Sequence, residues 1–466
     1  MKTKRQSFYN SYGITLIALL TLLLTYNCKP HNKDLNQTIR EHIENIKVIG
    51  THEHQLDPSK HGIKTISFFE QLKSSYLYDD LISAGASRNS TAEKNLDSDS
   101  LWNYYEPFLN STRTTSYYRQ LIKGYQKLYD FEGPYFTKDN VSKLNEQLVE
   151  NYNNYDSWFN KAFELSGFDL MLVDQYWNPY ELERNTGQFA LASQVNQMIV
   201  APLFKEKVPP EYSWIHTDYW KMAKSHNFSM QTLEEYLTFS NFVFENYFAK
   251  NSVCLKNSQG YDRSLYFEEV SFEEAAELYL KEPSTHTESE KKKLMDFMFH
   301  WIIQKAIQYD IPIQIHTGYL AGTGRVLENS RPSLLNNLFI KYPKAKFILF
   351  HGGYPYTSEW IALGKMFPNV YLDFSWLPQI SQMVAKRVLE ECLDTVPYNK
   401  ILWGGDEVYI EGSVGALELT KEVIAEVLIA RVKRGSLTVD MALLIADHIF
   451  RNNAILLLDL EYNLTE

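Results

Sequence analysis

Short apolar runs recur along the chain, and several of them end on a polar residue. Ile46–His54 (Ile-Lys-Val-Ile-Gly-Thr-His-Glu-His) opens with β-branched residues and reads as a strand. Phe168–Asp174, Ser252–Lys256, Ile311–His316, Lys346–His351, Val370–Ser375 and Lys400–Asp406 read the same way. Apolar residues three and four apart mark helices at Lys291–Tyr309, Leu334–Tyr342, Trp360–Met366 and Ser381–Cys392, with a helical tail over Val414–Leu460. Residues 178–250 mix loops and helices.

Strands alternating with helices predict a parallel sheet. Polar residues gathered at C-terminal strand ends predict a (β/α)8 TIM-type barrel, whose site lies on that face. A doubly wound open sheet also collects ligands at its strand ends, but it does not bring its first and last strands together. Between the first two strands the pattern changes. Aromatic and aliphatic residues at helical spacing fill residues 58–167, as in Tyr117–Tyr129 and Val141–Phe163. That is long for a βα connection, so a large helical insertion after the first strand is expected.

The N-terminus follows another pattern. Lys2, Lys4 and Arg5 precede the apolar run Ile14–Tyr26, which is short for a bilayer span. This is the layout of a secretory signal peptide over residues 1–27. Cys28 then resembles the lipidated cysteine of bacterial lipoproteins, although Leu24-Thr25-Tyr26-Asn27 lacks the usual small residues. Polar residues 28–40 predict a tether, which leaves 41–460 for the barrel and its insertion. The expected location is outside the cytoplasm, periplasmic or as a membrane-anchored lipoprotein, with membrane contact only through Cys28. Cys254 and Cys392 read as separate buried thiols.

The length of 466 residues and 44% hydrophobic content suit one large barrel as well as two or three ordinary domains. A net charge of −11 argues against broad attraction to nucleic acid. The expected partner is a small-molecule substrate, and the pattern leaves the oligomeric state open, a homo-oligomer included.

The chemistry lies at the strand ends. His52 and His54 are two apart on a strand, so their imidazoles leave the same face. Alone, such a pair is more often a surface feature than a metal site. His316, His351 and Asp406, however, end later strands in the same way. Four histidines and an aspartate at equivalent positions predict one centre, because a closed barrel gathers its strand ends. The reading requires the side chains of His52 and Asp406 to meet. Such donors suit a divalent metal, zinc foremost, with a coordination position left open. Water held there loses a proton near neutral pH, and Asp406 can accept it. A histidine not needed as a ligand can polarise the substrate.

The strand-end His-x-His, Ile315-His316-Thr317-Gly318, His351-Gly-Gly-Tyr-Pro and Trp403-Gly-Gly-Asp406 resemble the amidohydrolase superfamily, and most closely its amidohydrolase-related branch of nodulin-like and FluG-like proteins. Val253-Cys-Leu-Lys256 with Gly260-Tyr-Asp-Arg263-Ser-Leu, and Tyr76-Leu-Tyr-Asp-Asp-Leu-Ile-Ser-Ala-Gly, resemble that branch too. The resemblance implies a metal on His52, His54, His316 and Asp406, with His351 as a further ligand or a catalytic group and Asp406 as general base. It implies a metal-dependent hydrolase in which metal-activated water attacks an amide (C–N) or ester bond of a small molecule. Lys256 stands where some members carry a carboxylated lysine bridging two metals; it could equally bind an anionic substrate. Arg263 is a candidate carboxylate binder or the partner of Asp262 or Glu268, and Tyr354 a candidate pocket residue. Many members have an aspartate two residues before the first histidine; Gly50 stands there, so a partner orienting that ligand is expected to be missing. Two other readings stay open. A decarboxylase or uronate-isomerase-like enzyme could use the same site, although Gly404-Gly405-Asp406-Glu407 departs from the isomerase pattern. A ligand-binding lipoprotein without catalysis would have no need of Asp406 beside an open coordination site.

Overall fold

The computed structural model describes residues 34–465, apart from 59, 64–65, 89–95, 185, 205–207 and 209–217. The signal peptide expected over 1–27 and Cys28 lie outside the described residues. Part of the expected tether is ordered. Asp34 caps helix α1 (Leu35–Asn45), and Ile39 and Ile43, one turn apart, are buried.

Eight parallel strands run in sequence order: β1 (Val48–Glu53), β2 (Phe168–Val173), β3 (Phe189–Gln194), β4 (Ser252–Asn257), β5 (Ile313–Ile315), β6 (Phe347–Leu349), β7 (Val370–Asp373) and β8 (Ile401–Leu402). The extension of β8 returns to β1: Thr51 N donates to Trp403 O (3.0 Å), Asp406 N to His52 O (2.8 Å) and His54 N to Glu407 O (2.9 Å). The sheet thus closes on itself as a TIM-type barrel. Gly404 permits this approach, since a Cβ there would collide with the backbone of His52. β3 is the strand that the pattern left hidden. Its sequence, Phe-Ala-Leu-Ala-Ser-Gln, has none of the β-branched residues that mark the others.

Strand parity builds the interior. Ile49, Leu170, Leu172, Ala192, Cys254, Ile348, Phe350 and Leu402 form an inner apolar cluster, plugged from below by Ala454–Leu458. Two residues further along β2, β3 and β4, the same face presents Asp174, Gln194 and Lys256. Cys254 and Cys392 are both buried and free. Around the barrel pack helices α8 (Leu233–Val243), α9 (Glu288–Gln308), α10 (Asn336–Lys341), α11 (Thr357–Met366), α12 (Gln382–Thr395) and α13 (Ile410–Lys433).

Between β1 and β2 lie six further helices, α2 (Phe68–Ser74), α3 (Leu77–Ser83), α4 (Ser98–Ser111), α5 (Ser116–Tyr129), α6 (Lys138–Tyr152) and α7 (Tyr155–Ser166). They form a layer seated on α13. At the crossing of α5 and α13, a Cβ on Gly124 would strike Glu411 O, and one on Gly415 would strike Gln120 O. The two backbones touch because neither residue has a side chain. Gly415→Ala is therefore expected to destabilise the protein by about 1–3 kcal/mol or more, as overpacking does. A urea titration checks this; an unchanged midpoint would show that the layer has room to move.

Candidate metal centre

The register of β1 on β2 shifts between Gly50 and Glu53. Both Thr51 and His52 consequently reach partners inside the barrel: Thr51 Oγ1 donates to Asp373 (2.5 Å), and His52 lies on Phe350 (ring centroids 4.6 Å). His54, two residues on, follows His52 inward. Nε2 of His52 and Nε2 of His54 each stand 3.1 Å from Asp406 Oδ1. These three residues form the one group among the described residues whose ligating atoms all lie within 4.8 Å of one another. A metal about 2.1 Å from each of two adjacent ligands leaves those ligands roughly 3.0–3.4 Å apart, so the spacing fits.

His316 and His351 form a second pair beside the triad. His316 Nδ1 is 3.0 Å from His351 Nε2, and His351 Nδ1 is 3.8 Å from Asp406 Oδ2. Lys256 Nζ lies 3.0 Å from His52 Nε2, 3.8 Å from Asp174 Oδ2 and 4.2 Å from the centre of the Phe350 ring.

The tautomers follow from the partners. Backbone carbonyls only accept, so a ring nitrogen facing one must carry hydrogen. His54 Nδ1 donates to Asp174 O (2.8 Å), His316 Nε2 to Tyr319 O (2.7 Å) and His351 Nδ1 to Ser375 O (3.0 Å). In their neutral forms the opposite nitrogens are bare lone pairs. His54 Nε2 then faces a carboxylate oxygen, and His316 Nδ1 faces His351 Nε2, acceptor against acceptor. Such an arrangement calls for a cation. It also bears on the polarising role considered for His351, because the N–H that role requires is already given to Ser375 O.

Electrostatics agree. Burial, then the Lys256 charge, lowers the pKa of His316 to about 3 and that of His52 well below the usual value. Burial and then His316 do the same to His351. Burial also depresses His54, but the Asp406 carboxylate outweighs it and raises the net value. Burial would raise Asp406; His52 and His54 overcome it and hold the carboxyl well below its usual range. Burial lowers Lys256 as well. Neutral His52, His316 and His351 beside an ionised Asp406 are in the forms that bind metal, whereas His54, whose proton Asp406 favours, would release that proton on binding. His52 Nδ1 is buried without a hydrogen-bond partner, in keeping with Gly50 in place of an aspartate.

Asp406, His351 and Trp376 have φ of 62°, 63° and 68°. Three non-glycine residues in the left-handed region around one centre is a concentration typical of functional sites.

A cavity of about 440 Å³ opens onto His54, His316, Lys256 and Asp406, with Asp174, Gln194, Tyr76, Tyr261 and Arg325 also in its wall. Two sequence candidates are elsewhere. Arg263 is buried and structural: its Nη1 is 2.5 Å from Asp296 Oδ1, its other donors go to backbone carbonyls, and its partner is neither Asp262 nor Glu268. Tyr354 packs on Tyr319 (6.1 Å), which packs on Trp376 (5.5 Å), which packs on His351 (5.2 Å), so two rings separate it from the centre. Asp174 was missed although it ends a recognised strand. Gln194 was hidden with β3, and Tyr76 and Arg325 sit on connections that no strand-end pattern reaches.

The family model for amidohydrolases (Amidohydro_2) matches residues 286–433, which carry His316, His351 and Asp406. Protein fluG of Emericella nidulans is 33% identical over 152 residues, 32% of this chain and 18% of that protein, so the chain spans under a fifth of its length. A uronate isomerase from Thermotoga maritima superposes with a TM-score of 0.72 at 13% identity, over 91% of this chain and 97% of the other. A glucuronate isomerase from Caulobacter crescentus gives 0.71 at 14%, over 94% and 96%. At those identities the superpositions speak for the fold. The sequence match over residues 286–433 and the strand-end histidines make this chain similar to amidohydrolases, and the superpositions give it their barrel fold.

Proposed function

We propose that this protein is a metal-dependent hydrolase that opens an amide or ester bond of a small molecule. The observation that supports it most is the convergence of the ligating atoms of His52, His54 and Asp406 within 4.8 Å of one another, with the facing nitrogens of His316 and His351 beside them. Two or three imidazoles and one carboxylate suit zinc. A divalent ion there supplies Lewis acidity and lowers the pKa of a water ligand.

The chain's own groups do the rest. Asp406 Oδ1 is directed at His52 and His54, which leaves Oδ2 to accept a proton from water and later deliver it to the leaving group. Tyr76 keeps its phenolic proton, because burial raises its pKa well above the usual value. It lines the cavity and can donate to a substrate oxygen as charge builds there. Lys256, lowered by burial, stands close enough to His52 to join the ligand set if carboxylated.

A second reading draws on the two isomerases that superpose over more than nine-tenths of this chain, insertion included. A base on an ionised carboxylate next to a metal also serves aldose–ketose isomerisation. One experiment separates them: elemental analysis, then a screen of N-acyl amino acids, γ-glutamyl amides, lactones, aromatic acids and uronates. The expected result is about one divalent ion per chain and turnover of an amide or ester. His52→Ala should weaken metal retention by more than the roughly 10–100-fold that losing an outer partner costs. Turnover of uronates alone would favour isomerisation, and metal-free wild-type protein would defeat both.

A further inference from the structure

The cavity has a charged group that the metal chemistry does not use. Among the described residues of its wall the cations are Lys256 and Arg325. Lys256 is buried against His52 on the floor. Arg325 is exposed and stands at the mouth.

Its surroundings hold it in place. Arg325 Nε donates to Ala321 O (3.2 Å), and the guanidinium lies over the Tyr261 ring at 5.3 Å. Ala321 N in turn donates to the Tyr261 hydroxyl (3.0 Å). From the other side Gly322 N donates to Asp79 Oδ2 (2.8 Å), and Arg88 pairs with Asp79. The loop carrying Arg325 is thus tied both to the turn after β4 and to the insertion. Among the described residues its Nη atoms have no hydrogen-bond partner, with Asp262 the carboxylate that feels its charge, and they present the edge that a carboxylate engages with two parallel bonds.

The charge balance of the wall points the same way. Asp174, Asp262 and Asp406 oppose Lys256 and Arg325. One divalent ion at the triad turns that wall from net negative to net positive. A cavity with a cation at each end favours a molecule with an anionic group remote from the reacting bond.

We infer that Arg325 is an anion subsite, and that the substrate is a small acid whose carboxylate sits on Arg325 while its reacting bond lies at the triad. The placement of the reacting bond rests on the hydrolase reading; the anion subsite does not. Tyr261 and Asp79 are positioning residues for it.

The test is calorimetric binding to metal-loaded protein at pH 7.5 and low salt, where exposed charges are least screened. The probes are α,ω-dicarboxylates from malonate to adipate and the monocarboxylates of matching length. Wild type is expected to bind at least one dicarboxylate about tenfold or more tighter than its monocarboxylate, the scale of a charge-assisted contact. Arg325→Ala should abolish that preference, while Arg325→Lys keeps part of it. The same preference in Arg325→Ala, or none in wild type, overturns the subsite. No turnover is needed, so the hydrolase reading stands or falls separately in the screen.

Discussion

Replacing Asp406 by asparagine is expected to cost about 10²–10⁴ in turnover, the worth of general acid–base catalysis, while much of the metal is retained. The side chain keeps its size and one carbonyl oxygen, so a ligand atom can still face His52 and His54. Asparagine also accepts the left-handed backbone at this position, where φ is 62°. The loss is of proton affinity alone, since an amide takes no proton at neutral pH. His52→Ala makes the contrast, because on the proposed mechanism it leaves the base and removes a ligand. Metal stoichiometry and turnover, measured together on both variants, separate the roles. Near-normal turnover in Asp406→Asn would remove this residue as the base and move the proton transfer to another group at the centre.

The parts of this site that a reader of the sequence can find share one physical property: they lie at strand ends. A strand fixes the direction of its side chains by parity, and a barrel fixes where its strands end. His52, His54, His316, His351 and Asp406 therefore meet with little help from the intervening chain. The 3.1 Å between His52 and Asp406 follows from backbone bonds joining β1 to the extension of β8. What was not legible depended on packing between distant segments. Arg263 has acidic neighbours in sequence, yet its partner is Asp296, one helix later and completely buried. Arg325 stands in a loop without periodicity, and its position depends on Asp79 from the insertion. The tether ending at residue 40 reads as polar by composition, but Ile39 and Ile43 give it one apolar stripe, enough to dock α1. In β3, alanine and serine carry too little strand propensity to announce it.

The helical layer depends on one buried carboxylate. Glu411, near the start of α13, is 1% exposed. Its Oε1 accepts from the Tyr129 hydroxyl (2.5 Å) and Trp158 Nε1 (3.1 Å), and its Oε2 from the Tyr152 hydroxyl (2.8 Å) and Gln71 Nε2 (2.9 Å). Those donors come from α5, α7, α6 and α2, so four helices of the insertion end on one side chain. Gln71 extends the network by accepting from the Tyr125 hydroxyl (2.8 Å). Glu411→Leu keeps the volume and strands all four donors away from water. Each buried orphan costs about 1–3 kcal/mol, and relaxation makes the sum less than additive. A loss of at least about 4 kcal/mol is expected, a large share of the roughly 5–15 kcal/mol that holds a protein folded. Glu411→Gln should fall between, since its amide still offers an oxygen to two of the donors. Urea unfolding of both variants measures the difference. Metal content of the folded fraction then shows whether the damage stays in the insertion, as expected from a triad built wholly on β1 and the extension of β8. A Glu411→Leu midpoint within about 1 kcal/mol of wild type would mean that apolar packing alone seats the layer, and that the four donors find other acceptors.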